Sequence, residues 1–293
     1  MRRKYKLLTP LLFITPALSL YLFYFLIPIP MSFYFSFFDW DGYSPPETFV
    51  GFDNWKEMLK DDIFWNSLIH NFVFVILTLL IQIPLGLGLG LLISMRLKGM
   101  SFMRTVYFFP LLLSSAAIGI LWKMIYEPNF GALNAFLKAM KLDSLTKPWL
   151  GDYSTALGAV YATTSWQWIP FYMIVFAAAI SEIPRELYEA AKLDGASSWQ
   201  SFLYVTLPCL KGTIMVTAVL GITGSLKYFD LVYIMTEGGP GNSTDLLATY
   251  MYKLAFNSHR MGYGSTVACG LFIVSFALSY IVYRVYVKGV EVL

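Results

Sequence analysis

The chain has 293 residues, of which 57% are apolar and only 13% charged, and its formal net charge is +3. Charges this sparse, gathered outside long apolar runs, exclude an ordinary water-soluble domain and a nucleic-acid-binding surface, and they point to a protein that crosses a membrane. Cys209 and Cys269 lie far apart, as do His70 and His259, so the chain has neither a disulfide framework nor a metal-ligand set.

Apolar runs of about 20 residues or more are long enough to span a bilayer, and they must be helical because lipid offers the backbone no hydrogen-bond partner. Six spans are expected, at roughly 11–38, 69–95, 105–125, 156–180, 213–235 and 265–286, within one all-α, polytopic domain covering 1–293. The first follows Arg2-Arg3-Lys4. It is too long for a secretion signal and lacks a small-residue cleavage site, so it reads as an uncleaved span.

After it, Asp41-Gly42 and Pro45-Pro46 mark turns, and Phe52 to Leu59 reads as a short amphipathic helix capped by Asp53. The second span carries Pro84, Gly86, Gly88 and Gly90, and Pro28, Pro30, Pro110 and Pro170 fall within or near other spans. In membrane helices such residues serve close packing, and they suit a bundle whose members tilt against each other. Asn129 to Met140 reads as another surface helix. In the fourth span, Ser165-Trp166-Gln167-Trp168 brings two indoles and an amide to membrane depth. Such groups suit a sugar, whose C–H faces pack on aromatics and whose hydroxyls bond to amides, although Trp166 equally suits an interfacial belt.

The segment after the fourth span, 182–208, is polar and patterned. Helix is expected from Pro184 to Ala196, with Glu186 and Glu189 early, where the helix dipole favours acids. Gly195 breaks it, and a second helix begins at a serine cap, Ser197 or Ser198, and ends before Leu207-Pro208. A bent helix pair held outside the bilayer suits insertion into a groove of another protein. In the fifth span Lys227 and Asp230, three apart, would share a helix face as a structural ion pair or as a substrate contact. Gly221, Ser225 and Tyr228 form a separate stripe suited to a small polar ligand. Beyond it, Thr236 to Gly241 reads as a tight turn.

Lys and Arg set the orientation. The side holding both termini collects Arg2, Arg3, Lys4, Lys6, Arg96, Lys98, Arg104, Arg185, Lys192, Lys211, Arg284 and Lys288, twelve against eight on the other side. The termini and the bent pair are therefore expected in the cytoplasm. The glycines and lysine of Gly221 to Lys227 lack the spacing of a phosphate-binding loop, so any ATP must be bound by another chain.

Glu189-Ala190-Ala191 with Gly195 and Leu207-Pro208 resembles the Glu-Ala-Ala-x3-Gly-x9-Ile-x-Leu-Pro loop of ATP-binding-cassette importer permeases, with Val205 at the isoleucine position. Phe49 to Trp55, Phe229 to Pro240 and Thr244 to Phe256 resemble the carbohydrate-uptake branch, in particular the first permease of maltose- and glycerol-phosphate-type pairs. The resemblance implies a type I importer fold in a bacterial or archaeal cytoplasmic membrane, and a half-channel that works by alternating access. It implies a heterodimer with a second permease, two ATPase subunits that bind ATP and Mg, and an extracytoplasmic sugar-binding protein.

It further implies that Glu189, Ala190, Ala191, Asp194, Gly195, Ala196, Leu207 and Pro208 couple the chain to the ATPase. Sugar would meet Ser115, Gln167, Trp168, Phe171, Ser225 and Tyr228, and Gly238, Gly239 and Pro240 would serve docking of the binding protein. The implied cargo is a sugar, with an oligosaccharide favoured. The alternative is glycerol phosphate or a polyol, although phosphate would call for a mid-span arginine, which is lacking. An intramembrane enzyme would need paired carboxylates, a Ser–His arrangement or a metal set at membrane depth, and a plain anchor would leave the bent loop idle.

Overall fold

The computed structural model describes residues 13–95 and 99–290, so Arg2, Arg3, Lys4, Lys6, Arg96 and Lys98 lie outside the described residues, as does the Lys288 side chain. The fold is mostly helical. Among the described residues, four helices are by themselves long and apolar enough to cross a membrane: α1 (Phe13–Phe35), α3 (Asp62–Ser94), the run Lys211–Thr236, and the Met261–Val282 part of the last helix. Two further spans arise if each of two bent pairs counts as one.

Packing divides the chain into two compact units. One comprises the chain up to Phe64 with Met251–Ile273, and the other Trp65–Tyr250 with the chain from Val274. In the first unit, α1 leads into a short antiparallel hairpin, β1 (Phe38–Asp39) and β2 (Thr48–Phe49), with Phe38 opposite Phe49. Helix α2 (Asp53–Lys60) follows. Asp53 is its first residue rather than its cap, and its carboxylate pairs with Lys56 at 2.8 Å. The buried Asn54 amide donates to the Ser36 and Phe38 carbonyls, both at 3.0 Å, which ties α2 to the end of α1.

In the second unit the chain order is α3, α4 (Met100–Leu112), α5 (Ser115–Ile125), α6 (Ala132–Ala139), α7 (Ala156–Ser181), α8 (Arg185–Leu193), α9 (198–209), α10 (Lys211–Leu226), α11 (Asp230–Thr236) and α12 (Leu247–Tyr252). Helix α13 (Met261–Val290) ends the described chain.

Two expected spans are broken. The third, expected as one helix over 105–125, is α4 and α5 bent by 99°. Leu113 and Ser114 are extended, and the Ser114 hydroxyl caps α5 by accepting from the Ala117 N–H at 3.2 Å. The fifth, expected over 213–235, stops at Leu226 and restarts at Asp230. Lys227 closes one helix and Asp230 opens the next, so they share no face and form no ion pair, contrary to the sequence pattern. Asp230 instead accepts from the Ser115 hydroxyl at 3.2 Å. The break is satisfied internally. Fully buried Asn71 of α3 donates to the Ser225 and Leu226 carbonyls at 3.1 and 3.0 Å, and its own oxygen accepts from the Leu247 N–H at 2.9 Å.

Three π turns share a cause. Those at Leu22–Leu26, Thr78–Gln82 and Phe202–Thr206 each end two residues before a proline, Pro28, Pro84 and Pro208. A proline ring clashes with the carbonyl four residues back and leaves that carbonyl without a donor. Each of those carbonyls lies inside its π turn, whose wider backbone ring gives room for the proline while the helix continues. Hence α9 does not stop before Leu207-Pro208 but continues to Cys209.

Helices α3 and α7 make the closest approach in this unit. A Cβ at Gly86 would overlap the Tyr172 Cβ, and one at Gly90 would lie 3.0 Å from both the Met173 carbonyl oxygen and the Phe176 Cβ. Gly88, between them, faces away with nothing within 4 Å. Gly86→Val should therefore force α3 off α7 and lower stability by about 1–3 kcal/mol, while Gly88→Ala leaves it unchanged or slightly raised. Thermal unfolding of the purified chain in mild detergent checks both.

Candidate functional site: a neutral cavity and an exposed helical hairpin

Three helices of the second unit enclose a cavity of about 270 Å³. Phe74, Thr78 and Gln82 come from α3, Thr164, Trp168, Phe171 and Tyr172 from α7, and Leu220, Gly221, Gly224 and Ser225 from α10; Tyr228, in the break after α10, completes the wall. In each helix these positions recur at three- and four-residue spacing, the stripe of one helical face. An unbroken α-helix would swing the stripe Phe74, Thr78, Gln82 round by about 40° at each four-residue step. The π turn at Thr78–Gln82, closing one residue later, counters that drift.

The wall is aromatic and hydroxylic, and none of its side chains is charged. Trp168 and Phe171 meet edge to face, with centroids 6.2 Å apart, and Phe171 packs on Tyr172 in the same manner at 5.4 Å. The Thr78 and Ser225 hydroxyls lie 3.1 Å apart, and the Gln82 amide donates to the Ser165 hydroxyl at 3.2 Å. The Tyr228 hydroxyl is buried and makes no well-formed hydrogen bond, with the Thr164 and Trp168 side chains near enough to interact with it only weakly. Leaving such a group unpaired costs about 1–3 kcal/mol, so it is poised for a ligand that can pair with it.

Of the residues implied for sugar contact, Trp168, Phe171, Ser225 and Tyr228 meet at this cavity. Ser115 and Gln167 do not line it. Ser115 opens α5 and bonds Asp230, while the Gln167 side chain is buried with its carbonyl oxygen unpartnered. Thr78, Gln82 and Thr164 were not anticipated. The signal for Thr78 and Gln82 was present in the second span, where Asn71, Thr78 and Gln82 are polar positions on one face of an apolar helix.

The segment 182–208 forms a second candidate site. Helix α8 ends at Leu193 rather than Ala196, in a motif that needs a left-handed residue. Gly195 has φ +78°, its N–H donates to the Lys192 carbonyl at 3.1 Å, and the Ala196 N–H donates to that of Ala191 at 2.9 Å. Ser197 then opens α9 with a reciprocal cap. Its hydroxyl accepts from the Gln200 N–H at 3.3 Å, and the Gln200 side chain accepts from the Ser197 N–H at 2.8 Å. The Tyr188 and Thr206 hydroxyls, 2.9 Å apart, hold the two arms together.

Glu189, Ala190, Asp194, Gly195 and Pro208 are exposed, and Ala191, Ala196 and Leu207 half-buried. Beyond the implied set, large apolar side chains point outward here: Leu193 is 89% exposed, Tyr204 76% and Trp199 66%. The arms are rooted in the interior. Ile183 and Leu210 are buried with Ile83, Tyr172 and Phe176 in one apolar cluster, and Tyr172 is also a cavity wall.

In the turn after α11, Glu237 and Gly238 have φ of 52° and +84°, and a Cβ at Gly238 would overlap the carboxylate of buried Asp245. Gly238 is itself buried and Gly239 and Pro240 half-buried, so Glu237 and Gly241 are what the turn exposes. On another connection, the Glu127 carboxylate is held below the usual range, chiefly by the Phe130 N–H and then by that of Asn129, each 2.7 Å away.

A neutral, hydroxylic cavity among broken helices, together with an exposed helical hairpin rooted behind it, is the arrangement of a membrane transport component. The profile of binding-protein-dependent transport system inner membrane components matches residues 82–292, and the chain belongs to that family. It is a transport component and not an enzyme. It is 38% identical over 96% of its length to a Bacillus subtilis protein described as "Probable ABC transporter permease protein YurN", covering 97% of that protein. It is 32% identical to the diacetylchitobiose uptake system permease protein NgcF of Streptomyces coelicolor, over 94% of this chain and 81% of NgcF. Its fold is similar to that of a chain in a bacterial ABC transporter involved in the import of the acidic polysaccharide alginate, with TM-score 0.82, 24% identity and coverage of 98% of this chain and 96% of that one.

Two of the polar groups of the cavity wall, those of Ser225 and Tyr228, should respond differently to removal. Ser225→Ala takes away the partner of the Thr78 hydroxyl and should lower stability by about 1 kcal/mol. Tyr228→Phe removes a buried hydroxyl without a well-formed partner and should leave stability unchanged or raise it by about 1 kcal/mol. Thermal unfolding in detergent compares them.

Proposed function

We propose that this permease passes a neutral oligosaccharide from an extracytoplasmic binding protein into the cytoplasm. The observation that carries the reading is the cavity: aromatic faces for sugar C–H surfaces, with Thr78, Gln82, Thr164, Ser225 and Tyr228 for hydroxyls, and no charged side chain. Glycerol phosphate is disfavoured by the same wall, which offers an anion no cation. The uptake of diacetylchitobiose, for which NgcF is named, supports the neutral-sugar class.

The whole chain acts as one permease domain, with both termini and the 182–208 hairpin in the cytoplasm. A second, similar permease supplies the facing wall, and at about 270 Å³ the cavity is near the lower limit of ordinary ligand sites, as expected for half of one. Two ATPase subunits bind ATP and Mg and receive the hairpin in a cleft, with Glu189 meeting a basic group there and Leu193, Trp199 and Tyr204 burying apolar surface. ATP favours the closed ATPase dimer, which draws the hairpins together and tips the spans from inward- to outward-facing. The cluster of Ile183, Leu210 and Tyr172 supports a mechanical link, because it joins both arms to a cavity wall. Glu237 and Gly241, rather than the more enclosed Gly238, Gly239 and Pro240, present the outer turn to the binding protein.

In the assembled importer, Gly195→Asp puts a side chain at a left-handed position, costing about 1–2 kcal/mol locally, and adds a charge at the bend. Its ATP hydrolysis should continue while uptake falls, and normal uptake by this variant would overturn the coupling assignment. Trp168→Ala should reduce uptake by roughly five- to a hundredfold, on the order of the 1–3 kcal/mol that one base stacked on an aromatic is worth, while the subunits still copurify. Unchanged rate and selectivity would remove the aromatic platform from the site.

A further inference from the structure

Two glycines of α10 face the cavity for opposite reasons. A Cβ at Gly221 would lie 2.9 Å from the Thr78 Cγ2 and 3.0 Å from the Tyr172 hydroxyl oxygen, so the chain's own packing requires a glycine there. A Cβ at Gly224 would meet nothing within 4 Å. Gly224 lies inside a regular helix, Lys211–Leu226, where glycine is less stable than alanine and no left-handed φ calls for it. Neither backbone nor packing within this chain accounts for a glycine at 224, yet the residue lines the cavity beside Ser225, and Trp168 and Tyr228 line the same space.

We infer that Gly224 sets the size of sugar the cavity admits: its missing side chain is the space into which the substrate fits. The inference rests on the neutral-sugar reading and adds to it a residue that decides specificity by volume rather than by hydrogen bonding. The Ser225 hydroxyl on one side and the aromatic faces on the other then bound a slot whose floor is bare backbone. A single added methyl group at such a surface discriminates between substrates by about tenfold or more.

The test uses the complete importer, with its second permease, ATPase and binding protein, reconstituted in proteoliposomes. The probes are radiolabelled maltose, cellobiose and N,N′-diacetylchitobiose with their tri- and tetrasaccharides. Gly224→Ala should lower uptake of the largest accepted sugar about tenfold relative to the smallest. Gly224→Leu should abolish uptake of all while the second permease still copurifies. Gly212→Ala, in the same helix with a Cβ position equally free of neighbours but away from the cavity, should transport the series as the unaltered chain does.

An unchanged size ratio in Gly224→Ala, or undiminished uptake by Gly224→Leu, would overturn the inference. So would loss of the second permease from Gly224→Leu, which would make Gly224 a seat for a neighbouring helix. Failure of the unaltered importer to take up any of these sugars would overturn the neutral-sugar reading and this inference with it, and that failure is visible without any variant.

Discussion

The close approach of α3 to α7 is the contact on which the rest of the second unit depends. Gly86 and Gly90 let the backbone of α3 lie against Tyr172, Met173 and Phe176, leaving no room for a side chain. Lipid supplies no hydrophobic force to press helices together, so association rests on shape and on what small residues permit. That contact places Tyr172 where it serves two structures at once, as a wall of the cavity and as a member of the cluster that roots the 182–208 hairpin. Separating α3 from α7 would open the cavity and loosen the hairpin in the same movement.

A second constraint follows from the bilayer. Broken helices expose backbone groups that lipid cannot satisfy, so each break must bring its own partners. Ser114 caps α5 after the first break, and Asn71 reaches across from α3 to the carbonyls left open at the end of α10. Pro28, Pro84 and Pro208 use a different device, in which a π turn absorbs the ring and the helix runs on. In α3 this has a functional consequence, because the turn keeps Gln82 in line with Thr78 and Phe74 on the cavity face. For a protein whose spans must shift between two arrangements, breaks with self-contained hydrogen bonding are natural hinges.

The 182–208 hairpin was almost wholly legible in the sequence, because its geometry is made by local rules: acids early in α8, glycine at the left-handed position, serine and glutamine as a reciprocal cap. Even there Pro208 misled, since its usual meaning as a helix stop does not allow for a preceding π turn. The cavity was half legible. Trp168, Phe171, Ser225 and Tyr228 lie in segments whose composition already suggests a sugar. Thr78 and Gln82 were hidden, because two polar residues in an apolar run read as ordinary membrane helix until a partner helix is known. Lys227 and Asp230 show the converse error, a spacing that implies a shared face in a helix that ends between them.

By itself, the sequence determined that the chain crosses a membrane several times and where the hairpin bends. These follow from hydropathy, charge placement and short-range backbone preferences, which act within a few residues. Only the tertiary structure decided which spans break, which polar groups meet at the cavity, and which glycines are spaces for a neighbouring helix and which are spaces for something else. Those outcomes depend on residues far apart in the chain, Asn71 with Ser225 or Gly86 with Tyr172, and no local preference carries information about a partner that only folding brings near.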